Sequence, residues 1–134
     1  MDKVKLLLSK EFDMKDLGAA KKILGMVIKR DKNKNQLWVN QKKYVENVLG
    51  RFSMTNAKSV STPLAGHFRL SAQSCPTTDE EMRHMAQVPY ANAVGCLMYA
   101  MICTRVDIAH AVSVVSKFMA NLGKEHWKAV KWIL

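Results

Sequence analysis

Apolar residues at helical spacing open this chain. Among them Val4, Leu7 and Phe12 predict a helix over residues 2–12. Gly18 follows in a polar segment and is predicted to lie in a turn. The first element of the chain is therefore expected to be a short amphipathic helix.

Strand-forming residues come next and predict a β-hairpin. Residues 22–30 are rich in Ile, Val and Met, a polar turn follows, and residues 36–39 form the returning strand. Gly25 lies inside the first of these strands, where a glycine indicates a bulge or a close backbone approach. Asn40 is placed to cap a helix that continues to Phe52.

The second half of the sequence has the helical period. Residues 55–87 are polar and rich in Ser, Thr and Pro, so we expect them to form a long connector. Pro89 suits the first position of a helix. Asp107 is placed to cap a second helix, whose apolar face extends to Met119.

A third helix is expected from Lys124 onward, with His126 on its surface. No glycine or cap follows Leu134, which predicts that the sequence is cut within this helix. A helix, a hairpin and a further helix, followed by a connector and a helical subdomain, predict an α+β fold.

The net positive charge of the chain indicates which class of partner it binds. The net charge is +10; residues 1–58 hold 14 Lys and Arg against 6 Asp and Glu, and residues 59–134 hold 7 against 5. Such a field attracts nucleic acid or an anionic membrane surface, although a well-solvated basic surface has the same composition. No apolar run approaches the roughly 20 residues that span a membrane, so we expect no membrane partner.

The cysteine, histidine and acidic residues of the sequence show no spacing that predicts a catalytic or metal site. The three cysteines are odd in number, which argues against a disulfide framework and favours the cytoplasm or nucleus. No His lies at ligand spacing from a Cys or another His. The run Asp79–Glu81 is expected to be the solvated start of a helix. The residues alone predict no catalytic residue, metal or cofactor in this chain.

The basic residues around the hairpin are the candidate binding site. A basic hairpin with an aromatic side chain beside it can follow a phosphate backbone. Hairpin tips are also basic merely because they are exposed, and Trp38 can equally belong to a core, so the residues alone leave both interpretations open. The candidates are Lys29, Arg30, Lys32, Lys34, Trp38, Lys42 and Lys43.

Several short blocks, in order along nearly the whole chain, resemble copia-type retrotransposon Pol polyproteins. They match the part of the reverse transcriptase just downstream of the polymerase active site, then the thumb, then the start of the connection toward RNase H. The blocks are FDMKDLG at 12–18, ILGM at 23–26, QKKY at 41–44, TPL at 62–64, YANAVGCLMY at 90–99, TR at 104–105, DIA at 107–109 and GKEHW at 123–127.

The resemblance implies three parts. Residues 1–54 would be the end of the palm with a primer-grip-like hairpin, residues 55–87 a linker, and residues 88–134 the thumb helices and the start of the connection. The hairpin would hold the 3′ end of the primer, and the thumb helices would lie against the minor groove of the RNA–DNA duplex. The residues that this adds to the candidate site are Leu24, Gly25, Met26, Arg105 and Lys117.

The resemblance also implies what this chain lacks. In the family, the aspartates that hold two metal ions lie in a Tyr-x-Asp-Asp strand and an earlier palm strand, and neither motif is present here. This chain alone is therefore expected to be no enzyme, with Mg²⁺ bound only in the complete polymerase. Its partners would be RNA–DNA or DNA duplex, held weakly and without sequence preference, the polymerase upstream and RNase H downstream. An active element would carry it in a virus-like particle.

Two positions depart from the family pattern. Val106 and Leu122 stand where the family usually has proline, which would fix φ at a helix boundary. This departure favours an alternative, an inert relic of a retrotransposon. A further alternative is a small helical DNA-binding or interaction module, since helices over residues 89–120 joined by a short turn are also typical of helix-turn-helix proteins.

Overall fold

The computed structural model describes residues 2–134, so Met1 of the predicted 1–54 part lies outside the described residues. Within them helices and an antiparallel sheet follow one another, which confirms the α+β prediction. The helices are α1 (Asp2–Glu11), α2 (Lys42–Arg51), α3 (Asp79–Ala86), α4 (Tyr90–Cys103), α5 (Ala109–Ser116) and α6 (Lys124–Ile133). The strands are β1 (Lys22–Ile23), β2 (Met26–Asp31) and β3 (Gln36–Asn40).

The sheet contains two hairpins rather than one, in the order β1-β2-β3. The prediction of a single strand over 22–30 is wrong, because Leu24 and Gly25 form a tight turn between β1 and β2. Both have positive φ, 47° and 78°, as a type I′ hairpin turn requires. The predictions of a bulge and of a close approach at Gly25 are also wrong: Gly25 provides the turn conformation, and a Cβ there would meet open space.

The second hairpin was predicted and is present. In it β2 pairs with β3, from Val27 opposite Asn40 to Asp31 opposite Gln36. The Asp31 carboxylate accepts hydrogen bonds from the N–H groups of Asn33 and Lys34, at 3.0 and 3.2 Å. The Asp31 side chain therefore stabilises the turn by hydrogen bonds to the turn's own backbone.

Helix α1 matches the predicted helix but is exposed. Leu7 and Phe12 are 60% and 62% accessible. An ion pair of 2.8 Å joins the Lys5 ammonium to the Asp16 carboxylate, and the same carboxylate accepts a hydrogen bond from the Gly18 N–H. Gly18 has φ +75°, which agrees with the predicted turn.

The core lies between α4, α5 and α6. Tyr90, Val94, Val112, Val115 and Val130 are almost completely buried there. The Tyr90 hydroxyl donates a hydrogen bond of 2.7 Å to the Val115 carbonyl, which joins α4 to α5. Burial raises the pKa of Tyr90 to about 12, so the hydroxyl keeps its proton across the physiological range.

The segment 55–87 has more structure than its polar composition predicts. It contains α3, which begins with the acidic residues 79–81 and is capped by the Thr78 hydroxyl. Leu64, Phe68 and Leu70 pack against the core. The segment is therefore ordered against the helices. The division of the chain at residues 54 and 87 stays a prediction.

The ends of α2, α4 and α5 differ by a few residues from the predicted ones. The residue before α2 is Gln41 rather than Asn40, although the Asn40 side chain accepts a weak bond from the Lys42 N–H at 3.4 Å. Pro89 precedes α4 instead of opening it. Met119 lies beyond the end of α5 and is exposed, because the helix ends at Ser116.

Candidate nucleic-acid interface

The pleat of the hairpin separates the predicted basic cluster into two faces. Lys29 lies directly opposite Trp38, and Arg30 lies directly opposite Leu37. Cross-strand partners project from the same face of a sheet, whereas neighbours along a strand project from opposite faces. Lys29 and Trp38 therefore share one face, and Arg30 belongs to the other.

The face of Lys29 and Trp38 has the character expected of a phosphate-binding surface. Trp38 is 48% accessible, so the interpretation of Trp38 as a core residue is excluded. A lysine beside an exposed indole offers a cation for a phosphate and an aromatic surface for a base or sugar. Lys32 and Lys34 are exposed in the connecting turn.

Lys42 and Lys43 extend the basic surface beyond β3. Both lie in the first turn of α2 and are exposed. The Lys42 ammonium is 4.0 Å from the Glu46 carboxylate, a long and solvent-exposed pair that contributes little. These ammonium groups remain available to an anionic partner.

The turn of Leu24 and Gly25 is held against α4. The Tyr99 hydroxyl donates a hydrogen bond to the Leu24 carbonyl. The Tyr99 ring packs edge-on against Tyr44 of α2, with ring centroids 4.9 Å apart. Leu24 itself is 73% accessible, and Met26 is half-buried. The backbone of the turn is anchored while the Leu24 side chain faces solvent.

Two further hydrogen bonds join α2 to α4. The Thr104 hydroxyl donates to the Gln41 side-chain oxygen at 2.6 Å, and Gln41 is buried. The Tyr44 hydroxyl donates to the Cys96 carbonyl at 3.1 Å. Burial, followed by the neighbouring Cys96, raises the pKa of Tyr44 to about 12, so this donor stays protonated.

These anchoring residues were not found by sequence reasoning. The sequence places Tyr99, Thr104 and Gln41 only in predicted helices or in blocks that resemble the family. The Thr104–Gln41 hydrogen bond joins residues 63 positions apart, and the Tyr99–Leu24 hydrogen bond joins residues 75 apart. No local pattern of hydrophobic and polar residues indicates such a pairing.

Arg105 and Lys117 lie apart from each other. The Arg105 guanidinium donates to the Asp107 carboxylate at 2.8 and 2.9 Å, and these hydrogen bonds lower the pKa of Asp107. The prediction that Asp107 caps α5 is wrong, because this ion pair occupies its carboxylate within a 3₁₀ turn at Val106–Ile108. Lys117 is exposed at the far end of α5.

The helix-turn-helix alternative finds little support in α5. The helix has eight residues, and Ala111, Val112 and Val115 are buried in the core. A recognition helix needs an exposed face with side chains that reach base edges. The exposed residues on α5 include Ser113 and His110, which leaves few groups for reading bases.

Within residues 2–134, no three His, Cys, Asp or Glu side chains cluster as they would around a metal ion. Nor is any helix in this range long and apolar enough to cross a membrane.

Comparison with known proteins adds the family context. The family described as Reverse transcriptase (RNA-dependent DNA polymerase) matches residues 1–66. The Retrovirus-related Pol polyprotein from transposon TNT 1-94 of Nicotiana tabacum is 66% identical over 98% of this chain. The corresponding polyprotein from transposon RE1 of Arabidopsis thaliana is 35% identical over 95% of it.

The matched polyproteins are much longer than this chain. The chain spans 10% of the tobacco polyprotein and 8% of the Arabidopsis one. It spans 41% of a putative transposon Ty5-1 protein of Saccharomyces cerevisiae, which is 28% identical over 99% of the chain. No solved structure is significantly similar to this one.

Proposed function

Because the chain belongs to the copia-type retrotransposon Pol polyproteins and carries part of their reverse transcriptase domain, we propose that it holds the primer–template duplex of an RNA-directed DNA polymerase. The two hairpins would make the contact, and the catalytic residues would belong to other parts of the polyprotein. The duplex would be bound through its backbone, weakly and without sequence preference.

The observation that carries this proposal is the anchored turn with its exposed tip. Leu24 presents an apolar side chain to solvent from a positive-φ backbone, which is an unfavourable conformation for leucine. Strain and exposure at one residue favour a binding role over a structural one. Tyr99 fixes the position of this turn relative to the helices. Such a turn can position a primer end while Lys29 and Trp38 contact the backbone.

Polymerisation is assigned to the rest of the polyprotein. Phosphoryl transfer in such polymerases uses two Mg²⁺ ions held by carboxylates. The Tyr-x-Asp-Asp motif that holds them in the family is absent from this sequence. We therefore expect the chain alone, given primed template, nucleotides and Mg²⁺, to extend no primer. Extension above background would contradict this assignment.

Binding of an RNA–DNA hybrid tests the role of the hairpin. The observed binding constant is measured against salt concentration for the wild type and for a variant with Lys29, Arg30, Lys32 and Lys34 changed to Ala. Log K falls as log salt rises, and each lost phosphate contact reduces the magnitude of this negative slope by about 0.9. We expect the fourfold variant to lower that slope by about 2 to 4.

A matched control removes the same charges elsewhere. Changing Lys3, Lys10, Lys15 and Arg83 to Ala also deletes three lysines and one arginine, all of them exposed. If both variants change the slope equally, binding depends only on net charge and the hairpin assignment is wrong. If the wild type binds hybrid no better than a basic protein of equal charge, the alternative of an inert relic is favoured.

A further inference from the structure

We propose that the open groove beside α6 binds single-stranded nucleic acid, at a site separate from the hairpins. The groove has a volume of about 1090 Å³ and is formed by α6, by the loop that includes Lys58, and by the segment at His67 and Phe68. Of the residues that line the groove, only Arg105 belongs to the predicted binding site, and it lies outside the hairpins. The inference concerns a second surface and does not require that the hairpins bind duplex.

Basic side chains from two segments of the chain line the groove. Lys128 and Lys131 lie three positions apart on α6, so they project from the same side of the helix about 4.5 Å apart along its axis. Lys58 lines the same groove from the loop that follows α2. Lysines from two separate segments that line one groove suit a polyanionic strand bound along it.

The existing partners of these lysines are exchangeable. Lys128 pairs with Glu125 at 2.6 Å, and both side chains are more than half exposed. The Lys131 ammonium lies 5.8 Å from the centre of the Trp127 ring. Exposed ion pairs of this kind contribute little to stability, so a phosphate can replace the carboxylate without a large cost.

Trp132 provides a fixed aromatic surface in the same groove. Its indole N–H donates to the Thr62 carbonyl at 2.9 Å. The indole packs edge-on against His67 and Phe68, with ring centroids 5.5 and 5.7 Å away. A side chain already held in place loses little conformational freedom when a base stacks on it. Aromatic rings beside lysines are the common feature of sequence-tolerant single-strand sites.

The size of the groove favours a single strand over a duplex. Its volume lies at the top of the range of small-molecule pockets, which leaves room for a few stacked nucleotides. A duplex keeps its bases stacked on one another, so it offers no free base to Trp132. The occupant is therefore an unpaired segment of RNA or DNA.

Fluorescence of Trp132 tests the proposal directly in the full chain. Trp38→Phe and Trp127→Phe together leave Trp132 as the one tryptophan. This reporter protein is titrated with 12-mers of dT and of rU at low salt. We expect saturable quenching with at least one oligonucleotide. Adding Lys58→Ala, Lys128→Ala and Lys131→Ala should weaken binding at least about tenfold and lower the salt slope by about 2, since single strands contribute about 0.7 per phosphate contact.

Two controls separate this site from general charge and from the hairpins. Lys3→Ala, Lys10→Ala and Lys15→Ala remove the same charge and should leave the quenching in place. The fourfold hairpin variant should also keep it, whatever happens to hybrid binding. Absence of quenching by both oligonucleotides, or an equal loss in all three variants, would overturn the proposal.

A fold control covers the substitution at Trp127, which packs against the core. Circular dichroism must show native helix content in the reporter protein. If it does not, Trp132→Phe in the otherwise natural chain is compared with wild type in a binding assay with a labelled 12-mer. Weaker binding by this variant supports the proposal, and unchanged binding contradicts it.

Discussion

Gly123 and His126 determine how the chain enters α6. The Gly123 N–H donates to His126 Nδ1 at 2.8 Å, and the His126 ring stacks on Phe118 with centroids 3.9 Å apart. A Cβ at Gly123 would overlap the Ser74 carbonyl oxygen, so only glycine fits this corner. The requirement is for space, because φ at Gly123 is −111° and open to any residue.

The prediction of a surface His126 is wrong: the residue is completely buried. The prediction placed it on the surface beside Trp127. A signal for the opposite was present, because His126, Ala129 and Ile133 share one side of α6 at helical spacing, and the latter two are small or apolar. If histidine is counted with the apolar residues, the helical period predicts that His126 lies on the core-facing side of α6.

The burial of His126 makes stability depend on pH. Burial lowers its pKa, and this effect outweighs the Ser71 carbonyl and the Glu125 carboxylate, which act in the opposite direction. As the pH falls through about 6.5, the His126 imidazole therefore binds a proton in the unfolded chain, whereas in the folded chain it stays neutral until a lower pH. The free energy of unfolding should be constant above about pH 7.5 and should fall as the pH drops below about 6.5, by at most about 1.4 kcal/mol per pH unit.

Urea unfolding between pH 5 and 8 measures this effect. His126→Gln can still accept the Gly123 N–H but does not titrate, so its slope below pH 6.5 should be smaller than that of the wild type. His110→Gln changes an exposed histidine and should leave the slope unchanged. Equal slopes for the wild type and His126→Gln would rule out His126 as the cause.

Among the elements, the sheet shows most clearly what the sequence could and could not predict. Strand-forming residues on both sides of position 24 predicted β-structure correctly. The turn between β1 and β2 was missed because its first residue is leucine, whereas such turns usually carry Asn, Asp or Gly. The polar turn after Asp31 has the expected residues and was predicted.

The hydrogen bond from Tyr99 should control the order of the β1–β2 hairpin. Tyr99→Phe keeps the ring against Tyr44 and removes only the hydroxyl that binds the Leu24 carbonyl. A lost hydrogen bond at a partly exposed site costs about 0.5–1.5 kcal/mol. We expect amide exchange in β1 and β2 to become about two- to tenfold faster, as measured by native-state hydrogen exchange.

Exchange in α5 and α6 provides the internal reference for that experiment. Tyr90→Phe serves as the matched control, because its hydroxyl binds the Val115 carbonyl within the core. It should accelerate exchange in the helices instead. A uniform acceleration in Tyr99→Phe would mean that this hydroxyl stabilises the whole fold rather than the hairpin.

Across the whole molecule, the family, the α+β class and the helical core could be predicted, whereas the packing of the first half on the second could not. The blocks that resemble Pol polyproteins are local strings and were confirmed by the matched relatives. The contacts of Gln41 with Thr104 and of Leu24 with Tyr99 join distant positions, and a single sequence contains no signal for them. The groove beside α6 could not be predicted for the same reason, because it is lined by residues that are far apart in the sequence.

The exposure of α1 predicts that the first part of the chain adds little to stability. Deletion of residues 1–20 removes α1 and its ion pair with Asp16, which are mostly exposed. We expect the free energy of unfolding to change by less than about 0.5 kcal/mol, the usual range for surface changes. Urea denaturation monitored by far-ultraviolet circular dichroism measures it. A loss of several times that amount would show that α1 packs on the core in solution.

The long separation between Leu24 and its anchor affects the order of events during synthesis. Ribosomes add about 5–20 residues per second, so Tyr99 follows Leu24, 75 positions earlier, by roughly 4–15 seconds. Hairpins form within microseconds. Throughout that interval the nascent chain carries β1, β2 and β3 without α4 to receive them, and Ile23, Leu37 and Val39 are solvent-exposed even in the folded protein. Until α4 has been synthesised, the β1–β2 turn therefore lacks the hydrogen bond from Tyr99 that anchors it in the folded protein.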